Sequence, residues 1–359
     1  MKRTGWVWIG IVMLLAAMVA VGGCRAAGEG EHEGEHLDEH DERTVLSLPD
    51  LEPADLDGKA LQVVATTSII GDVVARVGGE AVDLTTLMGP GQDPHGYQPV
   101  AQDMVAVAKA HVIFVNGWDL EEALVHDLEE IAEKVPFVPI SAGIEPLAFG
   151  SHEEEHEDDH EEEPAHPESA EGDEDAHAHG SADPHTWFSV QNVKRWVENV
   201  VRVLSDLDPA NAAGYEANAQ SYQAELDELE AYVVDQLSSI PAEKRYLVTN
   251  HNSFAYLARA YDLQVLGTVI PAASTMAEPS ASALAELTAL MQEHGVCTVF
   301  TEATVSDKMA QMVAGELDGC DQVRVTKLYT GAVGPAGSGA DTYIGMMRYN
   351  VDQIVEGLK

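Results

Sequence analysis

The stretch PANAAGYEANAQSYQAELDELEAYVVDQLS, residues 209–238, decides how the chain is organised. Pro209 opens it, and a fixed φ with no N–H suits the first turn of a helix. Tyr222, Leu226, Leu229, Tyr232 and Val233 then recur at three- and four-residue spacing, which puts them on one face. The pattern predicts a single long helix over 209–238.

Short apolar, β-branched runs lie on both sides of it. Upstream they are Leu61–Thr66, Val82–Leu87, Val112–Val115 and Phe137–Ile140. Helical patterns near 70–78, 98–109 and 119–133 separate them, and another precedes the long helix near 190–205. Downstream, Tyr246–Thr249, Gln264–Leu266, Cys297–Thr301 and Gln322–Val325 alternate with helical patterns near 252–261, 281–294, 305–318 and 342–357. Strands separated by helices of this length form βαβ units and parallel sheets. The expected fold is therefore α/β and bilobed. An N-terminal lobe covers 58–208 and a C-terminal lobe 239–359, each a parallel four-stranded sheet flanked by helices.

Two segments depart from this pattern. Residues 25–57 and 151–182 are crowded with Glu, Asp and His and poor in large apolar side chains. Neither buries enough surface to offset ordering entropy, so both are expected to be mobile, the first as a tether and the second as a loop inserted in the N-terminal lobe. They contribute much of a formal net charge of −43. That balance repels nucleic acid and anionic membrane faces and is compatible with cations.

The start of the chain reads as a targeting segment. Lys2 and Arg3 precede an apolar run from Trp6 to Val21, and Val21-Gly22-Gly23-Cys24 follows. The run is short and ends in small residues, as in a secretory signal over 1–23. Cys24 at the cut site resembles a bacterial lipobox, which implies a diacylated Cys24 at the head of a tether over 24–57. An uncleaved anchor helix is the alternative. Both place the rest outside the cytoplasm, where Cys297 and Cys320 are expected to form a disulfide; two free buried thiols are the other possibility.

Of fifteen histidines, nine lie in the acidic tracts: His32, His36, His40, His152, His156, His160, His166, His177 and His179. Three others share a placement. His95 lies in Asp93-Pro94-His95-Gly96-Tyr97 after a strand of the first lobe, His185 in Asp183-Pro184-His185-Thr186-Trp187 just after the insert, and His251 in Thr249-Asn250-His251 after a strand of the second lobe. Parallel α/β sheets bind ligands outside the carboxyl ends of their strands, so all three can face one cleft. Three neutral imidazoles suit zinc, or copper or nickel, and suit manganese less well. Asp93 and Asp183 are placed to orient the loops or the rings. His111, His126 and His294 lack this context and read as ordinary residues.

These segments, with the run Asn250 to Tyr256 (NHNSFAY), Glu278-Pro279-Ser280 and the run Ala340 to Asn350 (ADTYIGMMRYN), resemble the zinc/manganese solute-binding proteins of the cluster A-I family, in family order from about residue 60 onward. The resemblance implies two lobes joined by a rigid helix, a metal ion in the cleft, and delivery to an ABC permease driven by a cytoplasmic ATPase. It also implies His95, His185 and His251 as ligands. His251 stands where manganese-type members usually carry a carboxylate, and 151–182, with His152, His156, His160, His166, His177 and His179, stands where zinc-type members often carry a His- and acid-rich loop; the acidic tracts are expected either to collect metal weakly or merely to keep the surface charged. Zn2+ is the expected cargo and manganese the alternative. Many relatives place an acidic ligand where this chain reads Gly331, so either water or Glu302 is expected to complete the site. The chain is expected to be a monomer and not an enzyme. A zinc hydrolase using Glu302 as base, and a metal-binding adhesin, are the competing readings.

Overall fold

The computed structural model describes residues 45–148 and 182–359, apart from Glu130, Glu133, Ala273, Val305 and Asp321. The signal segment, Cys24 and the histidines of both acidic tracts lie outside the described residues.

The first lobe is built on β1 (Leu61–Ala65), β2 (Val82–Thr86), β3 (Val112–Val115) and β4 (Phe137–Pro139). All pair in parallel, in the order β2-β1-β3-β4. The LQVVA and VIFV runs of β1 and β3 are almost wholly buried, as strands covered on both faces must be. Helix α1 (Ser68–Gly78) follows β1, with Thr67 accepting from the Ile70 N–H as its cap. Helices α2 (Ala101–Val107) and α3 (Glu122–Glu129) follow β2 and β3. After the insert come α4 (Val190–Leu207), one 3-10 turn over Pro209–Asn211, and α5 (Ala212–Ser238).

The second lobe repeats the plan with β5 (Tyr246–His251), α6 (Ala255–Tyr261), β6 (Gln264–Ile270), α7 (Ala281–His294), β7 (Thr298–Glu302), α8 (Lys308–Gly315), β8 (Arg324–Leu328) and α9 (Tyr343–Leu358). Its order is β6-β5-β7-β8, again all parallel. In each sheet the connections leave the first strand toward opposite edges. The crevice where ligands collect therefore opens beyond the carboxyl ends of β1 and β3 in one lobe, and of β5 and β7 in the other.

Differences from the sequence expectation lie mainly at element ends. β5 runs on to His251, so that residue is in the strand rather than after it. β8 begins at Arg324, not Gln322, because its register on β7 pairs Thr298 with Arg324 and Glu302 with Leu328. The expected tether is too long at its distal end. Leu48, Leu51, Ala54 and Leu56 pack on the core, and the Ala54 N–H donates to the Leu207 carbonyl at 2.8 Å. These apolar side chains hold 45–57 against the fold, where an acidic stretch without them would stay in water. Cys297 and Cys320 form the expected disulfide, with Cα atoms 5.8 Å apart.

Helix α5 is a bracket between the lobes. Tyr215, Ala219, Tyr222, Leu226, Leu229, Val233 and Leu237 form its buried stripe. That stripe joins one hydrophobic core with Val73 and Val77 of α1, Trp196 and Val200 of α4, and Met347 and Val351 of α9. A core shared by both lobes resists bending at the connection, as close-packed interiors do. Among the described residues no helix is long and apolar enough to cross a membrane. Leu226→Ala should lower the unfolding free energy by about 2–5 kcal/mol through the cavity it leaves, and denaturant titration should show the lobes losing structure in one transition.

Candidate metal centre

Three segments each bring one imidazole to the mouth between the sheets. His95 lies in the loop after β2, where Asp93 Oδ1 accepts from the His95 backbone N–H at 3.1 Å and folds the motif on itself. The second motif starts with the same turn, Asp183 Oδ1 accepting from the His185 backbone N–H at 2.9 Å. There the oxygen also reaches ring Nδ1, at 2.8 Å. His251 ends β5, and its Nδ1 is hydrogen-bonded to Oε1 of Glu302, which ends the neighbouring strand β7. Thr330 Oγ1 donates to the other Glu302 oxygen at 2.7 Å.

These contacts select tautomers. An imidazole that gives its Nδ1 hydrogen to a carboxylate presents Nε2 as a lone pair. The Nε2 atoms meet: His95 to His185 at 3.3 Å, and His185 to His251 at 3.1 Å. Candidate ligand atoms of the three residues all lie within 4.8 Å of one another. Three nitrogens on one zinc ion, each roughly 2.0–2.1 Å away at tetrahedral angles, stand about 3.3 Å apart. The His95–His185 and His185–His251 spacings match this.

Burial sets the charge states. It pushes His95 down to about 2, helped by the other two rings. It also pushes His185 down, although Asp183 opposes the shift. His251 goes the other way: burial works to lower it, but the Glu302 carboxylate prevails and raises it. Burial likewise works to raise Glu302, and the His251 ring beside it holds it below the usual carboxylate range.

Glu302, the alternative to water as the completing donor, stands behind His251, with its oxygens engaged by that ring and by Thr330. Gly331 carries no donor. It packs on the His95 loop so closely that an added Cβ would lie 2.6 Å from Pro94 Cδ. The other histidines serve elsewhere: His111 Nδ1 accepts from the Gln62 N–H at 2.9 Å, the His294 ring stacks on Tyr246, and His126 is exposed. Sequence reasoning passed over the groups that clamp the site across the lobes. Thr275 donates to Asp93 Oδ2 at 2.5 Å, Trp187 Nε1 to the Thr330 carbonyl at 2.9 Å, and Tyr256 OH to the Asp183 carbonyl at 3.1 Å. Trp187 and Tyr256 lie inside the histidine motifs and were findable there; Thr275 had no local signal.

The ZnuA family, described as the periplasmic component A of a zinc-uptake complex, matches residues 63–357. The chain belongs to this family. A manganese-binding lipoprotein, MntA, of Halalkalibacterium halodurans is 34% identical over 302 residues, spanning 84% of this chain and 90% of that protein. A manganese ABC transporter substrate-binding lipoprotein, PsaA, of Streptococcus mitis is 30% identical with the same coverage. Among solved structures, the periplasmic zinc-binding protein TroA from Treponema pallidum superposes with a TM-score of 0.70 at 31% identity, covering 84% of this chain and 99% of that one. Such relatives are binding components of transporters, not enzymes.

Protonation at Nε2 competes with a metal ion. Because Glu302 raises His251, that ring is the first of the three to take a proton as pH falls, so metal affinity should decline on acidification, with the loss beginning at that ring. Glu302→Gln removes the group that lifts His251. It should move the onset of that decline to lower pH while weakening binding at neutral pH by roughly 10–100-fold, as read by competition with a chromophoric chelator at a series of pH values. Gly331→Ala should weaken binding in the same assay at every pH, since Pro94 must move and carry His95 with it.

Proposed function

We propose that this chain captures Zn2+ between its lobes, outside the cytoplasm, and delivers it to an ABC permease powered by a cytoplasmic ATPase. The observation that carries the reading is the convergence of the three Nε2 atoms of His95, His185 and His251 at the spacing one small cation imposes. In this reading the imidazoles are the protein's ligands and water completes a tetrahedron. Asp183 and Glu302 orient rings rather than bind the ion. The ion joins His95 of one lobe to His251 of the other and so favours the closed form that a permease can recognise. A shared core along α5 supports small lobe shifts over wide opening.

The donor set supports zinc. Imidazole nitrogens are borderline-soft donors that suit zinc at four-coordination, whereas manganese suits carboxylate, carbonyl and water oxygens. Two positions in the second lobe bear on an acidic ligand: Glu302, the candidate beside water, is engaged by His251 and Thr330, and position 331, acidic in many relatives, is a glycine packed on Pro94. Manganese is the second reading, favoured by the names of MntA and PsaA; TroA, named as a zinc-binding protein, favours zinc. A lipidated Cys24 and a monomeric state accompany the proposal, the former in keeping with relatives named as lipoproteins.

Metal analysis of the purified protein, loaded with equimolar Zn2+ and Mn2+, should return one tightly held zinc per chain. His95→Ala, His185→Ala and His251→Ala should each lose it; a preference for manganese, or full retention in these variants, would refute the assignment. Deleting 151–182 should spare the tight site and reduce only additional, weaker zinc equivalents in a calorimetric titration.

A further inference from the structure

The two sheets share one topology, and the second lobe's crevice between β5 and β7 holds His251 and Glu302. The equivalent crevice of the first lobe, between β1 and β3, holds a polar cluster with no ligand atom for the ion. Glu121 is fully buried there. Its Oε1 accepts from Thr66 Oγ1, just beyond β1, at 2.6 Å and from the Asn116 N–H, just beyond β3, at 2.9 Å. Asn116, itself fully buried, sends its side-chain Nδ2 to the Pro184 carbonyl at 2.8 Å and to the Gly117 carbonyl at 3.0 Å. Pro184 is the residue between Asp183 and His185.

The loop that joins these groups is strained. Gly117, Trp118 and Asp119 have φ of 95°, 49° and 58°, three successive residues in the left-handed region, two of them with side chains. Such a run costs energy and persists only where surrounding contacts hold it. Glu121 supplies those contacts at one end and Asn116 at the other.

We propose that Asn116 and Glu121 are positioning residues of the metal centre: buried Glu121 fixes the 116–121 loop so that the Asn116 amide holds the Pro184 carbonyl and sets the direction of the Asp183–His185 turn. The inference rests on the three-histidine site being the metal site. The path from Glu121 to His185 Nε2 is continuous. Carboxyl to Asn116 backbone, Asn116 amide to Pro184 carbonyl, and Asp183 to the His185 ring are each direct hydrogen bonds. The turn is also held by the Asp183 N–H on the Leu147 carbonyl at 2.8 Å, by Tyr256 at Asp183 and by Ser141 Oγ, 3.0 Å from Thr186 Oγ1. The Pro184 carbonyl further accepts from the Thr186 N–H at 2.8 Å, a bond within the turn itself, whereas Asn116 ties it to the first lobe.

The test uses the purified chain with Zn2+ affinity from chelator competition and the visible ligand-field spectrum of bound Co2+. Asn116→Asp keeps the volume and removes the donor. It should weaken zinc binding by roughly tenfold or more, in the range found for groups that orient a metal ligand, and should shift the cobalt bands. Glu121→Ala should behave like Asn116→Asp. If Asn116→Asp does not fold, Asn116→Ser, which also loses the reach to Pro184, takes its place. Wild-type affinity and cobalt spectrum in the Asn116 variant, whatever its melting temperature, would overturn the proposal. A wild-type protein that binds neither ion would instead remove the metal reading beneath it.

Discussion

The arrangement depends on two buried carboxylates that each hold an imidazole by its Nδ1. Asp183 and Glu302 are 1% and 2% exposed. A carboxylate so far from water is tolerated only with a partner of opposite charge or strong hydrogen bonds. The His185 and His251 rings supply those bonds, and in doing so they turn both Nε2 atoms to one point. A divalent cation there would balance the two negative charges that stand behind it. Without a cation, a proton shared by the His251 ring does part of the same work, which is why Glu302 raises that histidine. Metal and proton are thus rivals for one electrostatic role.

That role requires the lobes to be held in register, and the fold does so with little freedom. The segment Asp183–Trp187 belongs to neither sheet. It is tied to the first lobe through Asn116 and Ser141 and to the second through Tyr256, Thr330 and the Tyr343 hydroxyl, which donates to the Trp187 carbonyl at 2.8 Å. Behind it, α5 and α9 pack into the core of the first lobe. Hydrogen bonds and a close-packed core of this kind have discrete arrangements rather than a soft continuum. Change on metal binding should therefore concentrate in the His95 loop, whose link to the second lobe is the Thr275–Asp93 bond and the Gly331 contact.

Most of the architecture was legible because parallel strands leave a plain mark: VIFV is a continuous apolar run, LQVVA is one broken only by Gln62, and the 209–238 stripe repeats at helical spacing. The imidazoles were legible because two sit in duplicated Asp-Pro-His motifs and the third ends an apolar run. What escaped was set by tertiary register. No local feature distinguishes a glutamate that faces the ion from one that faces a histidine, and only the alignment of β7 beside β5 puts Glu302 behind the ring. The β8 boundary was lost for the same reason, since Gln322 and Val323 look as strand-like as Lys327 and Leu328 until β7 fixes the pairing. Residues 45–57 were misjudged by composition, because a few leucines spaced among acids suffice to dock a segment that averages as polar.

In the proposed zinc reading, metal preference also follows from packing and not only from a roll of ligands. The His95 loop reaches the cleft because Pro94 lies against a bare Gly331 backbone, at a separation no β-carbon would permit. The space that an acidic side chain at 331 would need is the space Pro94 fills. An oxygen donor from that position and this seating of His95 therefore exclude each other. In the proposed zinc reading, glycine at 331 leaves the inner shell to the three imidazoles and the remaining coordination to a small exchangeable ligand. Such a shell favours a cation content with four neighbours over one that seeks a larger set of oxygens.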